Sequence, residues 1–92
     1  MNKQQVRVKI YGQVQGVFFR AFTQEKAKEL ALTGWVKNKD DGSVEAVFQG
    51  APKILHQMLD WCKEGSPHST VDSLHPEWEG LDTVFDEFEI RY

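Results

Sequence analysis

Ile10-Tyr11-Gly12-Gln13-Val14-Gln15-Gly16-Val17-Phe18-Phe19-Arg20 is the stretch that decides how this chain folds. An alternating apolar run, Val6, Val8 and Ile10, leads into it, and a helix-favouring run begins at Ala21. The reading is a strand, a loop with two glycines, and the start of a helix. Glycines let a loop bend and approach a ligand closely. The first turn of the helix adds unpaired N–H groups and the positive end of the dipole. Together these make an anion pocket, most commonly for phosphate. Arg20 contributes a planar, permanently charged fork suited to phosphate oxygens.

Working outward, residues 1–4 read as a short frayed start. Residues 5–11 form a strand with one buried face, because Val6, Val8 and Ile10 alternate with Arg7, Lys9 and Tyr11. The glycine loop spans about Gly12 to Phe19. Ala21 to Leu32 is rich in helix formers, with Thr23, Ala27, Leu30 and Ala31 as its inward stripe and Gly34 as its stop. Trp35 to Asn38 or Lys39 is a second strand. Lys39 to Gly42 is a turn, and Ser43 to Gln49 returns with Val44, Ala46 and Phe48 on one face, making a hairpin. Pro52 opens a second helix whose stripe is Ile54, Leu55, Met58, Trp61 and Cys62, and Gly65 and Pro67 end it. Residues 69–79 suit a strand without clean alternation. Gly80-Leu81-Asp82 is a turn, and Phe88, Ile90 and Tyr92 alternate in a last short strand.

The order β-α-β-β-α-β, plus a short C-terminal strand, is an α+β fold. It corresponds to a ferredoxin-like α/β sandwich, an antiparallel sheet with two helices on one face. In that arrangement the first two strands run the same way with the third between them, roughly 10 Å apart. The glycine loop, Arg20, the first helix start and Asn38 then meet at one sheet edge, although Arg20 and Asn38 are eighteen positions apart.

The 92 residues make one small domain, 1–92, and 40% are hydrophobic. The net charge of −3 argues against a nucleic-acid or anionic-membrane partner. A small anion needs only local positive charge. The single cysteine, Cys62, allows no internal disulfide, no apolar run has transmembrane length, and no signal segment opens the chain. These point to a cytoplasmic monomer.

Each candidate has a plainer reading. Two glycines in a loop are common, and a lone arginine is more often at the surface. The loop is neither a Walker loop nor a dinucleotide fingerprint. Asn38 could simply shape its turn, but a carboxamide can also accept a hydrogen bond from a water while donating elsewhere. It cannot act as a general base. His56, His68 and His75 lack metal-ligand spacing, and Cys62 lies on the buried stripe. With no carboxylate dyad or nucleophile triad, any chemistry runs by positioning and charge stabilisation.

Two motifs resemble those of the acylphosphatase family. One is Ile10, Gly12, Val14, Gln15, Gly16, Val17, Phe19 and Arg20. The other is Gly34, Trp35, Val36, Lys37, Asn38, Gly42, Val44 and Gly50. The resemblance extends over nearly the whole chain and implies a stand-alone enzyme that hydrolyses acyl phosphates to a carboxylate and inorganic phosphate. It implies a small-molecule acyl phosphate substrate, no metal, no cofactor and no covalent enzyme intermediate. By it, Arg20 and the loop residues Gln15, Gly16, Val17, Phe18 and Phe19 hold the phosphate, and Asn38 orients the attacking water. Two departures, Thr33 and the segment Ser66-Pro67-His68-Ser69-Thr70, lie outside both motifs and are expected not to touch them. Two rivals remain: a carbamoyl-phosphate-binding domain of the kind fused to larger maturation enzymes, and a non-catalytic binding module. Paired aromatics of an RNA-binding sheet are absent.

Overall fold

The computed structural model describes residues 3–92. Of the start read from residues 1–4, residues 1 and 2 lie outside that range, and Gln4 already belongs to a strand. The elements are β1 (Gln4–Gln13), α1 (Phe19–Glu29), β2 (Thr33–Asn38), β3 (Val44–Gly50), α2 (Pro52–Glu64), β4 (Thr70–Glu79) and β5 (Phe88–Arg91). They form one sheet in the order β4-β1-β3-β2-β5. The three pairings among β1 to β4 are antiparallel, the core of a ferredoxin-like sandwich. The fifth strand changes the sheet from antiparallel to mixed, because β5 runs parallel to β2. Topology requires this direction. β4 runs opposite to β2, so a chain that turns back after β4 enters β5 along β2.

The alternation in β1 places Val6, Val8 and Ile10 at zero exposure against Val36, Val44, Ala46 and Phe48. Phe48 stacks on Phe88 with ring centroids 5.4 Å apart. From α2, Leu55, Met58, Leu59 and Cys62 close the core, while Ile54 and Trp61 are only partly buried at its margin. Burying one such side chain contributes about 1.5–3 kcal/mol. Burial pushes the Cys62 thiol up to about 12, so it packs as an apolar group and holds its proton.

β3 is buried on both faces, beyond the single face read from its alternation. The reason is tertiary. On the face away from the helices, Glu45 pairs with Arg7 at 3.3 Å and Lys39 at 3.4 Å. Gln49 holds the chain that returns from β4 to β5. Its Nε2 donates to the Thr83 carbonyl, and its Oε1 accepts from the Phe85 N–H at 3.0 Å. Trp35 lies between the guanidinium groups of Arg7 and Arg91, 5.8 and 4.9 Å from its ring centre.

α1 starts two residues before the expected Ala21 and stops three before Leu32. It starts early because Phe19 is buried, 5.9 Å from the Trp61 ring. It stops early through a Schellman motif. The Leu32 N–H reaches the Ala27 carbonyl at 2.8 Å, and the Ala31 N–H reaches Lys28 at 3.0 Å. Ala31 takes the left-handed position at φ 58, and Leu32 drops into the core. Gly34, read as the stop, instead lies inside β2, where its N–H donates to the Glu87 carbonyl at 3.1 Å. Ala31 is exposed and Leu30 half-buried, so the stripe of α1 is Phe19, Thr23 and Ala27.

β4 lacked clean alternation for a visible reason: it is an edge strand, exposed along most of its length. At its end, Glu79 accepts from Gln5 Nε2 at 2.7 Å and Arg7 Nε at 3.0 Å. These bonds, the Gln5 contact foremost, hold its carboxyl below the ordinary glutamate value. A depressed folded-state pKa gives stability that is complete above the unfolded value, about 4.3, and is lost as pH falls through the folded one. Thermal melts across the acid range are therefore expected to show Tm dropping below about pH 4.3, with a shallower decline for Glu79→Gln. Equal slopes for the two proteins would remove Glu79 from the acid response.

Candidate active site

β1 extends to Gln13, so Gly12 lies in the strand and not in the loop. The ladder to β4 shifts register between Tyr11 and Gly12. At φ 136, a Cβ on Gly12 would collide with the Thr70 carbonyl. The first glycine thus lets β4 approach, while the second serves the loop. Gly16 has φ 75 and open space around it.

The loop proper is Val14 to Phe18. Val14 is 1% exposed and ties it to the core. Phe18, the residue before α1, takes φ 59 and ψ 24, a left-handed conformation costing a phenylalanine about 1–3 kcal/mol. Such a turn brings successive N–H groups to one side. Among the described residues, no backbone carbonyl meets the N–H groups of Gln15, Gly16, Val17 or Phe18. No side chain caps the start of α1 either, so its first-turn N–H groups are also unclaimed. The result is a concave row of donors at a helix N-terminus, the arrangement that receives anions.

Gly16, Phe18, Phe19, Arg20 and Asn38 line one cleft of about 330 Å³, completed by Val14, Ala21, Ile90 and Tyr92. Arg20 is held from the C-terminal strand. Its Nη1 donates to the Arg91 carbonyl at 3.3 Å, and its guanidinium lies 4.7 Å from the Tyr92 ring centre. Asn38 is the last residue of β2, opposite Val44. Its Oδ1 is buried and, among the described residues, has no hydrogen-bond partner. Buried polar atoms in native proteins are nearly always satisfied, so this acceptor is available to a molecule in the cleft.

The expected convergence of loop, arginine and asparagine is present, because β1 and β2 flank β3 and run in the same direction. Two loop residues stand differently from the rest. Gln15 is not in the cleft wall; its Nε2 donates to the carbonyls of Lys39 at 2.8 Å and Ser43 at 2.9 Å, tying the loop to the β2–β3 hairpin. Val17 is half-buried against the core and also lies outside the wall. The segment beginning at Ser66, expected not to touch either motif, does touch the first. Ser66 Oγ donates to the Val17 carbonyl at 3.2 Å. Sequence reasoning missed Ile90, Tyr92 and the Arg91 carbonyl as parts of the site. Their only signal was the terminal alternation, which shows a strand but not its neighbour.

The histidines stand elsewhere. His56 packs on Trp78, 5.0 Å between ring centroids, and His75 on Tyr11 at 5.4 Å. Among the described residues, no three His, Cys, Asp or Glu side chains are grouped to hold a metal ion. No helix among them is long and apolar enough to cross a membrane.

A ferredoxin-like sandwich carrying an uncapped donor loop, an arginine and an orphaned carboxamide at one sheet edge defines a small α+β protein with an anion-receiving cleft. The acylphosphatase family model matches residues 6–90. The chain is 45% identical over 92 residues to the acylphosphatase of Syntrophobacter fumaroxidans, covering all of this chain and 95% of that one. It is 45% identical over 86 residues to that of Rubrobacter xylanophilus, covering 94% and 78%. The crystal structure of acylphosphatase from Bacillus subtilis superposes with a TM-score of 0.94 at 38% identity, covering 97% of this chain and 99% of the other. The chain belongs to the acylphosphatase family.

Proposed function

We propose that this protein hydrolyses acyl phosphates, cleaving the carboxyl–phosphate anhydride to a carboxylate and inorganic phosphate. The loop N–H groups from Gln15 to Phe19 and the guanidinium of Arg20 hold the phosphoryl oxygens, and Asn38 holds the attacking water. The observation that carries this reading is the unpartnered, buried Oδ1 of Asn38 in the same cleft as Arg20 and the unclaimed donors. An acceptor fixed there accepts a hydrogen bond from a water and aims the water's lone pair at phosphorus.

The chemistry asks little else of the protein. A carboxylate is a good leaving group, so its departure needs no strong general acid. Phosphoryl transfer depends on neutralising the oxygens and aligning the nucleophile with the leaving oxygen. Fixed donors in a partly enclosed cleft do this without reorganisation during the reaction. A phosphoryl oxygen accepts the second water proton. The apolar rim of Val14, Phe18, Ile90 and Tyr92 accommodates the acyl group.

The test is phosphate release from benzoyl phosphate by the pure protein with a chelator present. Steady turnover unaffected by the chelator is expected. Absence of phosphate release would overturn the reading, and loss of turnover on chelation would overturn its metal-free form.

A further inference from the structure

The segment joining α2 to β4 reaches the second half of the loop. Ser66, 3% exposed, directs its hydroxyl to the Val17 carbonyl, forty-nine positions away in the chain. Its own backbone is secured in turn. The Ser66 carbonyl accepts from the Ser69 N–H at 3.0 Å and from Ser69 Oγ at 2.8 Å. A Cβ on neighbouring Gly65 would lie 3.2 Å from the Phe19 ring, so α2 ends in close contact with the start of α1.

A trans peptide carries its C=O and N–H on opposite sides. With the Val17 carbonyl turned to Ser66, the Phe18 N–H of the same peptide unit is turned away from it. Among the described residues that N–H meets no backbone carbonyl, and Phe18 itself borders the cleft. Rotation of the peptide would replace this donor with a carbonyl oxygen, which repels a phosphoryl oxygen. Phe18 already sits in an unfavourable left-handed conformation, so something must hold the unit in place. Gln15 anchors the first half of the loop to the hairpin; the second half has the Ser66 hydroxyl.

We propose that Ser66 is a positioning residue, whose hydroxyl fixes the Val17–Phe18 peptide with its N–H facing the bound phosphoryl group. This rests on the reading of the cleft as a phosphoryl site. A hydrogen bond made equally to bound substrate and to the transition state alters KM and leaves kcat. Ser66→Ala is therefore expected to raise both the inhibition constant of inorganic phosphate and KM for benzoyl phosphate by about tenfold, the scale of one charge-assisted hydrogen bond, with kcat within about threefold.

Ser66→Thr, which keeps the hydroxyl, restores phosphate binding. His68→Ala, an exposed position of the same segment, leaves it within about twofold. In amide NMR spectra of the wild type, the Phe18 resonance shifts on adding inorganic phosphate, and in Ser66→Ala that shift shrinks. A silent Phe18 amide in the wild type overturns the proposal without recourse to any variant. So does unchanged phosphate inhibition in Ser66→Ala, or equal weakening by Ser66→Ala and His68→Ala. A wild type that neither hydrolyses benzoyl phosphate nor binds inorganic phosphate overturns the functional reading, and this proposal with it.

Discussion

Arg20→Gln lowers kcat/KM for benzoyl phosphate by about a thousandfold and weakens inhibition by inorganic phosphate in parallel. The size follows from what the guanidinium is and how it is held. It is a permanent cation with donors in a fixed fork, and a hydrogen bond from an ionised donor is roughly twice as strong as a neutral one. Its orientation is set before substrate arrives, by the Arg91 carbonyl at 3.3 Å and the Tyr92 ring at 4.7 Å. Donors preorganised in this way are the ones whose removal costs about a hundred- to a thousandfold each, and glutamine removes the charge as well as the fork. The part of this contact made alike to substrate, transition state and product raises KM and the phosphate inhibition constant, and the part that strengthens as charge develops in the transition state lowers kcat. Arg20→Lys restores charge without the fork and is expected to recover only a minor part of the loss. Steady-state kinetics with phosphate inhibition measure all three quantities. A normal phosphate inhibition constant in Arg20→Gln would remove Arg20 from the phosphate site.

Asn38→Ala behaves differently: kcat falls by about a hundred- to a thousandfold while KM stays within about threefold. The carboxamide is proposed to touch the water and not the phosphoryl group, so substrate binds normally and waits for an unaligned nucleophile. The structure adds a second expectation. Asn38 Oδ1 is buried and, among the described residues, without a partner, and removing an unsatisfied buried acceptor relieves a desolvation penalty instead of creating one. Asn38→Ala is therefore expected to keep or slightly raise the unfolding midpoint while losing turnover. That combination separates a catalytic loss from a folding loss. If kcat were unaltered, the water-holding role would be wrong.

Local sequence already carried much of this. The alternation of Val6, Val8 and Ile10, the turn at Gly42 and the Leu55, Met58 and Cys62 part of the α2 stripe are each properties of a few neighbouring residues, and each appears where local physics puts it, while the burial of Leu59 in place of Ile54 and Trp61 was set by the sheet beneath. The motif from Ile10 to Arg20 marked the loop and Arg20 on the same grounds. The failures share one cause. The end of α1 depended on where Leu32 could be buried, so Ala31 took a conformation that glycine usually takes and Gly34 was left within β2. Gly12 looked like a loop glycine because its real contact, the Thr70 backbone, lies far away in the chain. The second buried face of β3 arises from Arg7, Lys39 and the crossing segment at Thr83 and Phe85, none of which is adjacent to it.

The same division runs through the cleft. By itself the sequence determined a βαββαβ order, an anion-receptive loop at a helix start, and an arginine and an asparagine of the right chemistry, because periodicity, glycine and side-chain charge are local properties. Only the tertiary structure decided which strand β5 would join, and with it the Arg91 carbonyl and Tyr92 ring that hold Arg20. It also decided that Gln15 would brace the loop and that Ser66 would turn the Val17 carbonyl. Those contacts form only when the sheet closes, and a hydrogen bond between residues tens of positions apart leaves no periodic trace in the chain that makes it.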